Sequence, residues 1–156
     1  MPDRPPTIVS LDAMALVNLD GLFFVRVRAV PQAPALQGLL TCIKAERPWG
    51  VLHYFELEQV GLPDEPARGA YAALLRDASD AGRATALVTE RVLMESIVRS
   101  VVSGLRLITR KESKTETFSN LGEAGRWLES VRPKEAPAVP LSTLSETLAA
   151  LREARG

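Results

Sequence analysis

The sequence predicts an α/β protein in which helices flank a mixed β-sheet. Short apolar runs alternate with stretches of helical periodicity, and an Asp-Gly pair separates two of the N-terminal runs. Such a pair between apolar runs is typical of a β-hairpin, whereas strands that alternate with helices favour parallel pairing through right-handed crossovers. Residues 51–57, VLHYFEL, are apolar almost throughout, which is typical of a central strand covered on both faces.

The N-terminal part predicts the hairpin. Residues 7–19 contain two β-rich runs, and Asp20-Gly21 leads from the second of them into LFFVRVRAV. The favoured hairpin turns need positive φ angles, which both turn residues tolerate. Arg26 and Arg28 fall on the same face of the third run, so we predict that this strand lies at an edge of the sheet or faces solvent.

A helix, a strand and a second helix are predicted next. The first helix follows Pro34 and ends before Pro48, since a residue that precedes proline avoids helical backbone angles. The central strand 51–57 comes after it. The second helix begins at Asp64, a favourable N-cap, and ends at Gly82, a favourable C-cap.

Apolar runs and helical patterns continue to alternate towards the C-terminal part of the chain. We predict a buried strand at 84–88, a helix at 91–104, a strand at 105–109, then a charged stretch that leads to TETF (115–118), and a helix at 121–130.

The C-terminal segment differs from the rest in composition. Residues 131–140 contain three prolines and predict a linker between an α/β domain at 7–130 and an amphipathic helix at 141–156. A helix of this length is marginally stable alone, so it needs a surface to pack on. That surface is either its own domain or a partner, which includes a second copy of the chain. The apolar stripe consists of Leu141, Leu144, Leu148 and Leu151.

Composition argues against several classes of function. Nineteen basic and nineteen acidic residues cancel, which argues against the broad positive field that nucleic-acid binding requires. The N-terminus has no apolar core of signal-peptide length, and no run is long enough for a membrane span, so we expect a cytoplasmic protein. Cys42 is the single cysteine, which rules out a disulfide within one chain.

Residues that serve catalysis or cofactor binding are scarce. The sequence has one histidine, His53, and one cysteine, so we expect no metal site. It has no nucleophile elbow, phosphate-binding loop or dinucleotide-binding glycine motif. We therefore predict that the protein is not an enzyme, has no catalytic residue and binds no cofactor, and we interpret His53 as hydrogen-bonded within the sheet. An enzyme that uses His53 with Tyr54 or Glu56 ranks third among the hypotheses.

Three features are candidate surfaces for binding a protein partner. The loop after the central strand is acidic, although a strand end and a helix N-terminus also explain its carboxylates. The helix at 91–103 is apolar over more than half of its circumference, which favours cover by the C-terminal segment or by another chain. The third feature is the stripe of the C-terminal helix. The candidate partner-binding residues are Glu56, Glu58, Asp64 and Glu65 in the loop, Met94, Val98 and Val102 in the helix, and Leu144, Leu148 and Leu151 in the stripe.

The stretches RATALVTE (83–90) and TFSNLGEAGRWLES (117–130) resemble the SpoIIAA-like branch of the STAS fold, which is related in shape to the lipid-binding Sec14 domain. The similar positions, of which the last three share one helical face as core residues, are Phe118, Glu123, Ala124, Trp127 and Leu128. The resemblance implies a non-enzymatic module that binds other proteins or small apolar or anionic ligands. Antagonists of this branch carry a phosphorylatable serine in the loop after the central strand. Here that loop, VGLPDEPARG, has no Ser or Thr, so no phosphorylation switch is expected.

These observations predict a cytoplasmic regulatory module that acts through protein–protein contacts, with an unidentified protein partner or with a second copy of itself as a homodimer. The alternative is a carrier or sensor that holds a small apolar or lipid-like ligand between the sheet and the helices. Under the first hypothesis, deletion of residues 132–156 weakens partner binding or self-association and leaves the domain folded.

Overall fold

The computed structural model describes residues 7–59, 61–109 and 114–154. Within these ranges the chain forms a six-stranded mixed sheet and five helices, which confirms the predicted α/β class with helices flanking a mixed sheet. In chain order the elements are β1 (Ile8–Leu11), β2 (Met14–Leu19), β3 (Leu22–Val27), α1 (Ala33–Glu46), β4 (Gly50–Phe55), α2 (Glu65–Ala81), β5 (Ala84–Thr89), α3 (Val92–Thr109), β6 (Thr115–Phe118), α4 (Leu121–Val131) and α5 (Leu141–Glu153).

The strands lie in the sheet in the order of the chain, from β1 to β6. The pairs β1–β2 and β2–β3 are antiparallel, and β3, β4, β5 and β6 are parallel to one another. The predicted hairpin turn between β2 and β3 is confirmed, since Asp20 and Gly21 have φ angles of +50° and +100°. A Cβ atom on Gly21 would lie 3.0 Å from Cδ1 of Trp49, so this position needs glycine for space as well.

The prediction that β3 lies at an edge is wrong. It pairs with β2 on one side and with β4 on the other, and Arg26 lies in register with Ala15 and Tyr54. The charge of Arg26 is accommodated in this interior strand because its Nε donates a hydrogen bond to Glu56 Oε1 at 3.0 Å. Arg26 in β3 and Arg28 just after it therefore do not mark an exposed edge.

The helices form one layer on each face of the sheet. We call α1, α2 and α3 the front layer and α4 and α5 the back layer. Successive parallel crossovers of one hand that move in one direction across a sheet place their helices on the same face, which accounts for the front layer. In β4, Val51 packs towards the front layer, and Leu52 and Tyr54 pack towards the back layer. The prediction that this strand is central and covered on both faces is confirmed.

The prediction of a strand at 105–109 is wrong, because α3 continues through these residues to Thr109. The sequence places Gly104 just before the run, where a glycine commonly ends a helix. In the structure Gly104 does not adopt the left-handed conformation that ends α2 at Gly82. A short apolar run cannot be assigned to strand or helix by periodicity alone, and here the helix extends.

The C-terminal helix packs on its own domain. The side chains of Leu144, Leu148 and Leu151 are buried in the core between the back layer and the sheet, whereas Leu141 is 51 % exposed. The sequence allowed two surfaces for this helix, its own domain or a partner, and the structure shows that it packs on its own domain. The last two residues of the predicted segment 141–156 lie outside the described residues.

Candidate ligand cavity

An apolar cavity lies between the sheet and the front layer. The space that a water-sized sphere can occupy inside it is about 70 Å³, which is room for a few water molecules and about half the volume of an apolar cavity that holds benzene. Helices α1, α2 and α3 and strands β4 and β5 all contribute to its wall. The apolar side chains of the wall include Ile43, Val51, Leu74, Ala78, Leu87, Met94, Ile97, Val98, Val101 and Val102.

The wide apolar face of α3 is explained by this cavity. Met94, Val98 and Val102 are buried, while Ile97 and Val101 are only partly buried and line the cavity. The expectation that the C-terminal segment covers this helix is wrong, because α5 packs on the opposite face of the sheet. The apolar excess of the sequence therefore coincides with an apolar cavity beneath the helix.

His53 is the principal polar group of the cavity wall. It lies in the middle of β4 and is 5 % exposed, and its ring stacks on that of Phe55 with centroids 6.2 Å apart. Its Nδ1 atom is buried and has no hydrogen-bond partner among the described residues, so the expected hydrogen bond within the sheet is not present at this atom. Burial lowers the pKa of His53 to about 4, which keeps the imidazole neutral near pH 7.

The other polar side chains of the wall carry no unpaired charge. Arg83 Nη1 forms an ion pair with Asp77 Oδ2 at 2.9 Å, and Arg83 Nε donates to the carbonyl oxygen of Pro48 at 3.2 Å. Burial raises the pKa of Tyr71, so its phenol stays protonated. The wall is thus apolar with a few neutral polar groups, a composition typical of small-molecule sites. No local pattern in the sequence indicates the role of Arg83.

One end of the cavity is lined by the loop between β4 and α2, at the carboxyl ends of the parallel strands. Gly61 and Pro63 of this loop belong to the wall, and a Cβ atom on Gly61 would lie 3.2 Å from Cγ2 of Val30. Arg91 Nη1, at the start of α3, donates a hydrogen bond to the carbonyl oxygen of Leu57 at 3.0 Å. Ligands in open α/β sheets commonly bind at this end of the strands.

The predicted acidic residues divide between two places. Glu58, Asp64 and Glu65 are exposed in the loop, and Asp64 is the N-cap of α2, since its Oδ1 accepts from the Ala67 N–H at 2.9 Å. Glu56 is half-buried and points to the back layer instead. The structure therefore does not bring the four carboxylates together.

The six predicted apolar contact residues are not exposed. Each has at most 8 % of its surface accessible, because α3 packs on one face of the sheet and α5 on the other. Side chains buried in this way are unavailable to a partner in the folded chain, so this interpretation of them is corrected. The residues are Met94, Val98, Val102, Leu144, Leu148 and Leu151.

A charged cluster on the back layer holds α5 to the end of β4. Glu56 accepts hydrogen bonds from Nε of Arg26 and from Nε and Nη2 of Arg152, and the Arg152 guanidinium lies 6.0 Å from the ring centroid of Tyr54. The Arg152 guanidinium, helped by Arg26, holds the pKa of Glu56 below its usual value. Neither arginine contact is evident from the sequence, since Arg26 and Arg152 are 30 and 96 residues from Glu56 along the chain.

Glu56→Gln is expected to make the free energy of unfolding depend less steeply on pH in acid. Because the folded-state pKa of Glu56 is lowered, its stabilising effect is present above the usual value of 4.5 and is lost as the pH falls through the folded-state pKa. At neutral pH the variant loses about 1 kcal/mol of unfolding free energy. Urea unfolding at a series of pH values measures this, with Glu58→Gln as the matched exposed control. Parallel pH profiles for the wild type and Glu56→Gln would contradict the assignment.

Two further observations limit the chemistry of the described residues. In ranges 7–59, 61–109 and 114–154, no group of three or more His, Cys, Asp and Glu side chains is placed to hold a metal ion. No described helix combines the length and the apolar character that crossing a bilayer requires.

The evidence for a function comes from the fold and the cavity, because comparison with known proteins finds no match. No protein-family model matches the chain, and no curated protein shows significant sequence similarity to it. The fold and the site define an α/β domain with an apolar cavity beneath one layer of helices.

Proposed function

We propose that this protein is a non-enzymatic carrier or sensor that binds a small, largely apolar molecule in the cavity between the sheet and the front layer. The observation that carries the proposal is the cavity itself, with apolar walls from three helices and a neutral histidine among them. Transfer of apolar surface from water into such a site is favourable by about 25 cal/mol per Å². A wall that is already formed adds little ordering cost on binding.

The proposed architecture is that of the SpoIIAA-like branch of the STAS fold, and the proposed location is the cytoplasm. The order of strands and helices supports the architecture, as does the packing of the positions that carry the resemblance. Ala124 and Leu128 are buried in the back layer, and the rings of Phe118 and Trp127 contact each other with centroids 5.6 Å apart. These contacts agree with core roles for the four residues.

A second candidate function is recognition of a protein partner by the loop between β4 and α2. Leu62 is 69 % exposed and lies between the exposed carboxylates of Glu58, Asp64 and Glu65. An exposed leucine within acidic surroundings fits a partner with an apolar pocket and a basic rim. Under this hypothesis Leu62→Ser reduces binding of a captured partner at least tenfold, whereas Leu141→Ser, an exposed leucine elsewhere, does not.

Native mass spectrometry of freshly purified protein tests the carrier hypothesis. Bound mass that is lost on denaturation supports it, and the released molecule can then be identified. A spectrum of the bare chain, together with no binding of a small apolar probe such as xenon, would contradict it.

A further inference from the structure

A basic cleft lies at the end of the sheet opposite the loop between β4 and α2. It is formed where the chain enters β4, β5 and β6, at the amino ends of these parallel strands, together with the C-terminal parts of α1, α2 and α4. The space that a water-sized sphere can occupy in it is about 630 Å³, which is within the usual range of small-molecule sites. Its charged lining residues are Lys44, Arg47, Asp77, Arg83 and Lys114.

Most of the charges that line this cleft are positive. Asp77 is the only carboxylate among the described lining residues, and it is already paired with Arg83 at 2.9 Å. The remaining three, which we call the cleft cations, are exposed and form no ion pair with another described residue. A chain whose total charges balance therefore places three unpaired cations in one concave site, where they attract anions. The cleft cations are Lys44, Arg47 and Lys114.

The helix ends at the cleft do not account for these cations. Basic side chains near a helix C-terminus commonly bind its last carbonyl groups or offset its dipole. In α1 and α2, the backbone N–H groups of the C-cap residues Arg47 and Gly82 already bind carbonyl groups of the last turn. The two helix ends together contribute about one negative charge, which is less than the charge of the cleft cations. Lys114 precedes a strand, so a helix dipole does not explain it at all.

Backbone hydrogen bonds hold the segments of the cleft side by side. The Ala84 N–H donates to the carbonyl oxygen of Trp49 at 3.1 Å, and the Thr85 N–H donates to that of Lys114 at 2.7 Å. Trp49 and Lys114 thus flank β5 on its two sides. Since neighbouring strands lie about 4.8 Å apart, their backbones are separated by about 10 Å. Long side chains on both sides of such a cleft can converge on one anionic group, and a site that is already formed costs little to order.

Arg47 occupies a position where glycine is the usual residue. It ends α1 with φ and ψ angles of +51° and +57°, in the left-handed region. This conformation is sterically unfavourable for a residue with a Cβ atom, and α2 ends with Gly82 in the same region. An arginine here therefore lowers the stability of the helix end relative to glycine. A binding role for its side chain would explain why it stands at this position.

We propose that the cleft binds a small organic phosphate, whose anionic group lies among the cleft cations and whose organic part lies against Trp49 and Pro133. Lysine and arginine form charge-assisted hydrogen bonds with phosphate oxygens. A phosphate ester carries about two negative charges and three acceptor oxygens near pH 7, which suits three cations better than the single charge of a carboxylate. Trp49 and Pro133 are partly buried and line the same cleft, so apolar surface is available beside the cations.

Titration calorimetry on the full chain at physiological ionic strength tests the proposal with phenyl phosphate, inorganic phosphate, benzoate and benzylammonium. Phenyl phosphate is expected to bind with a dissociation constant of about 1 mM or lower, and about tenfold more tightly than benzoate, which has the same ring and less charge. It is also expected to bind more tightly than inorganic phosphate, because its ring buries apolar surface. Benzylammonium is expected not to bind, since the cleft cations repel it.

Neutral substitutions locate the site. Lys44→Gln, Arg47→Gly and Lys114→Gln are each expected to lower the affinity for phenyl phosphate about fivefold, and the triple variant is expected not to bind it. Arg68→Gln is the matched control, because Arg68 is an exposed basic residue of α2 that does not line the cleft. Arg47→Gly should also keep or raise the unfolding midpoint, since glycine adopts the left-handed conformation more readily. Its loss of affinity is therefore not a loss of fold.

A measurement on the wild type makes the result independent of the variants. The chain has two tryptophans, of which Trp49 lines the cleft, whereas Trp127 packs on Phe118 with ring centroids 5.6 Å apart. Phenyl phosphate is expected to shift the side-chain NMR signals of Trp49, with saturation at the dissociation constant that calorimetry gives. The signals of Trp127 are expected to stay unchanged.

Three results would overturn the proposal: a dissociation constant for phenyl phosphate well above 1 mM, equal affinity for benzoate, or affinity that survives the triple substitution. Vesicles of phosphatidylglycerol test the other source of a phosphate group. A chain that binds these vesicles and not phenyl phosphate recognises a lipid headgroup, which also overturns the proposal of a small soluble ligand. The test is independent of the carrier function, because the cleft and the apolar cavity share only Arg83 among their described wall residues.

Discussion

Deletion of residues 132–156 is expected to unfold the protein at ordinary temperatures. Helix α5 buries three leucines against the sheet and α4, and it covers apolar side chains of β3 and β4 that would otherwise face water. Loss of one buried leucine side chain costs about 2–5 kcal/mol, and whole domains are stable by about 5–15 kcal/mol. Removal of the helix is therefore expected to cost an amount of free energy comparable with the total stability of the domain. The earlier expectation of a folded, partner-deficient domain is replaced by this one.

Single substitutions measure the same effect in a protein that still folds. Leu144→Ala is expected to lower the free energy of unfolding by about 3 kcal/mol, because Leu144 is 1 % exposed. Leu141→Ala is the matched control on the same helix and should change it by less than about 0.5 kcal/mol, because Leu141 is 51 % exposed. Urea unfolding followed by circular dichroism gives both values. A truncated chain with the wild-type unfolding midpoint would show that α5 does not belong to the core.

Ala78→Leu is expected to abolish the binding of small apolar probes and to preserve the fold. Ala78 is 4 % exposed on α2 and lines the cavity, so the three added carbon atoms occupy space that a ligand would need. Xenon affinity should fall at least tenfold, and the unfolding midpoint should change little or rise, since filling a cavity offsets the cost of the larger side chain.

The control for this substitution is Ala81→Leu. Ala81 is exposed, lies three residues further along the same helix and does not line the cavity. The two variants have the same change in volume and in helix propensity, so they differ in location alone. If both retain wild-type xenon affinity, the probe binds elsewhere on the protein, and the cavity is not the site.

Much of the fold follows from local rules that the sequence displays. Asp20 and Gly21 predict the hairpin because few other residue pairs adopt two successive positive φ angles. Asp64 and Gly82 predict the ends of α2 because one side chain caps the first turn and the other residue adopts the left-handed conformation. These predictions depend on a few neighbouring residues, so one sequence suffices for them.

Apart from the run at 105–109, where the local pattern is ambiguous, the errors arise where distant parts of the chain meet. Arg26 in a strand predicts an exposed edge, whereas folding brings the Glu56 carboxylate to its guanidinium. The apolar stripe of α5 shows that the helix needs a surface, and it does not show which face of the sheet provides that surface. A periodic pattern identifies the apolar face of an element, but the element against which this face packs depends on the tertiary structure.

The candidate site was predictable in its parts and not in its arrangement. The sequence identified His53 as a notable residue and a cavity between sheet and helices as an alternative. It could not show that His53 Nδ1 lacks a partner, because that depends on the packing of three helices around it. The loop between β4 and α2 drew attention for its acidic residues, yet its contribution to the cavity comes from Gly61 and Pro63.

The most direct test of the central claim is a crystal structure of the protein under xenon pressure, since xenon enters apolar cavities and is readily located. The carrier or sensor hypothesis predicts a xenon site between the sheet and α2 and α3, in contact with Val98 and Leu87 and close to His53, and its loss in Ala78→Leu. A wild-type structure with the same fold, no xenon at this position and side chains filling the space would contradict it.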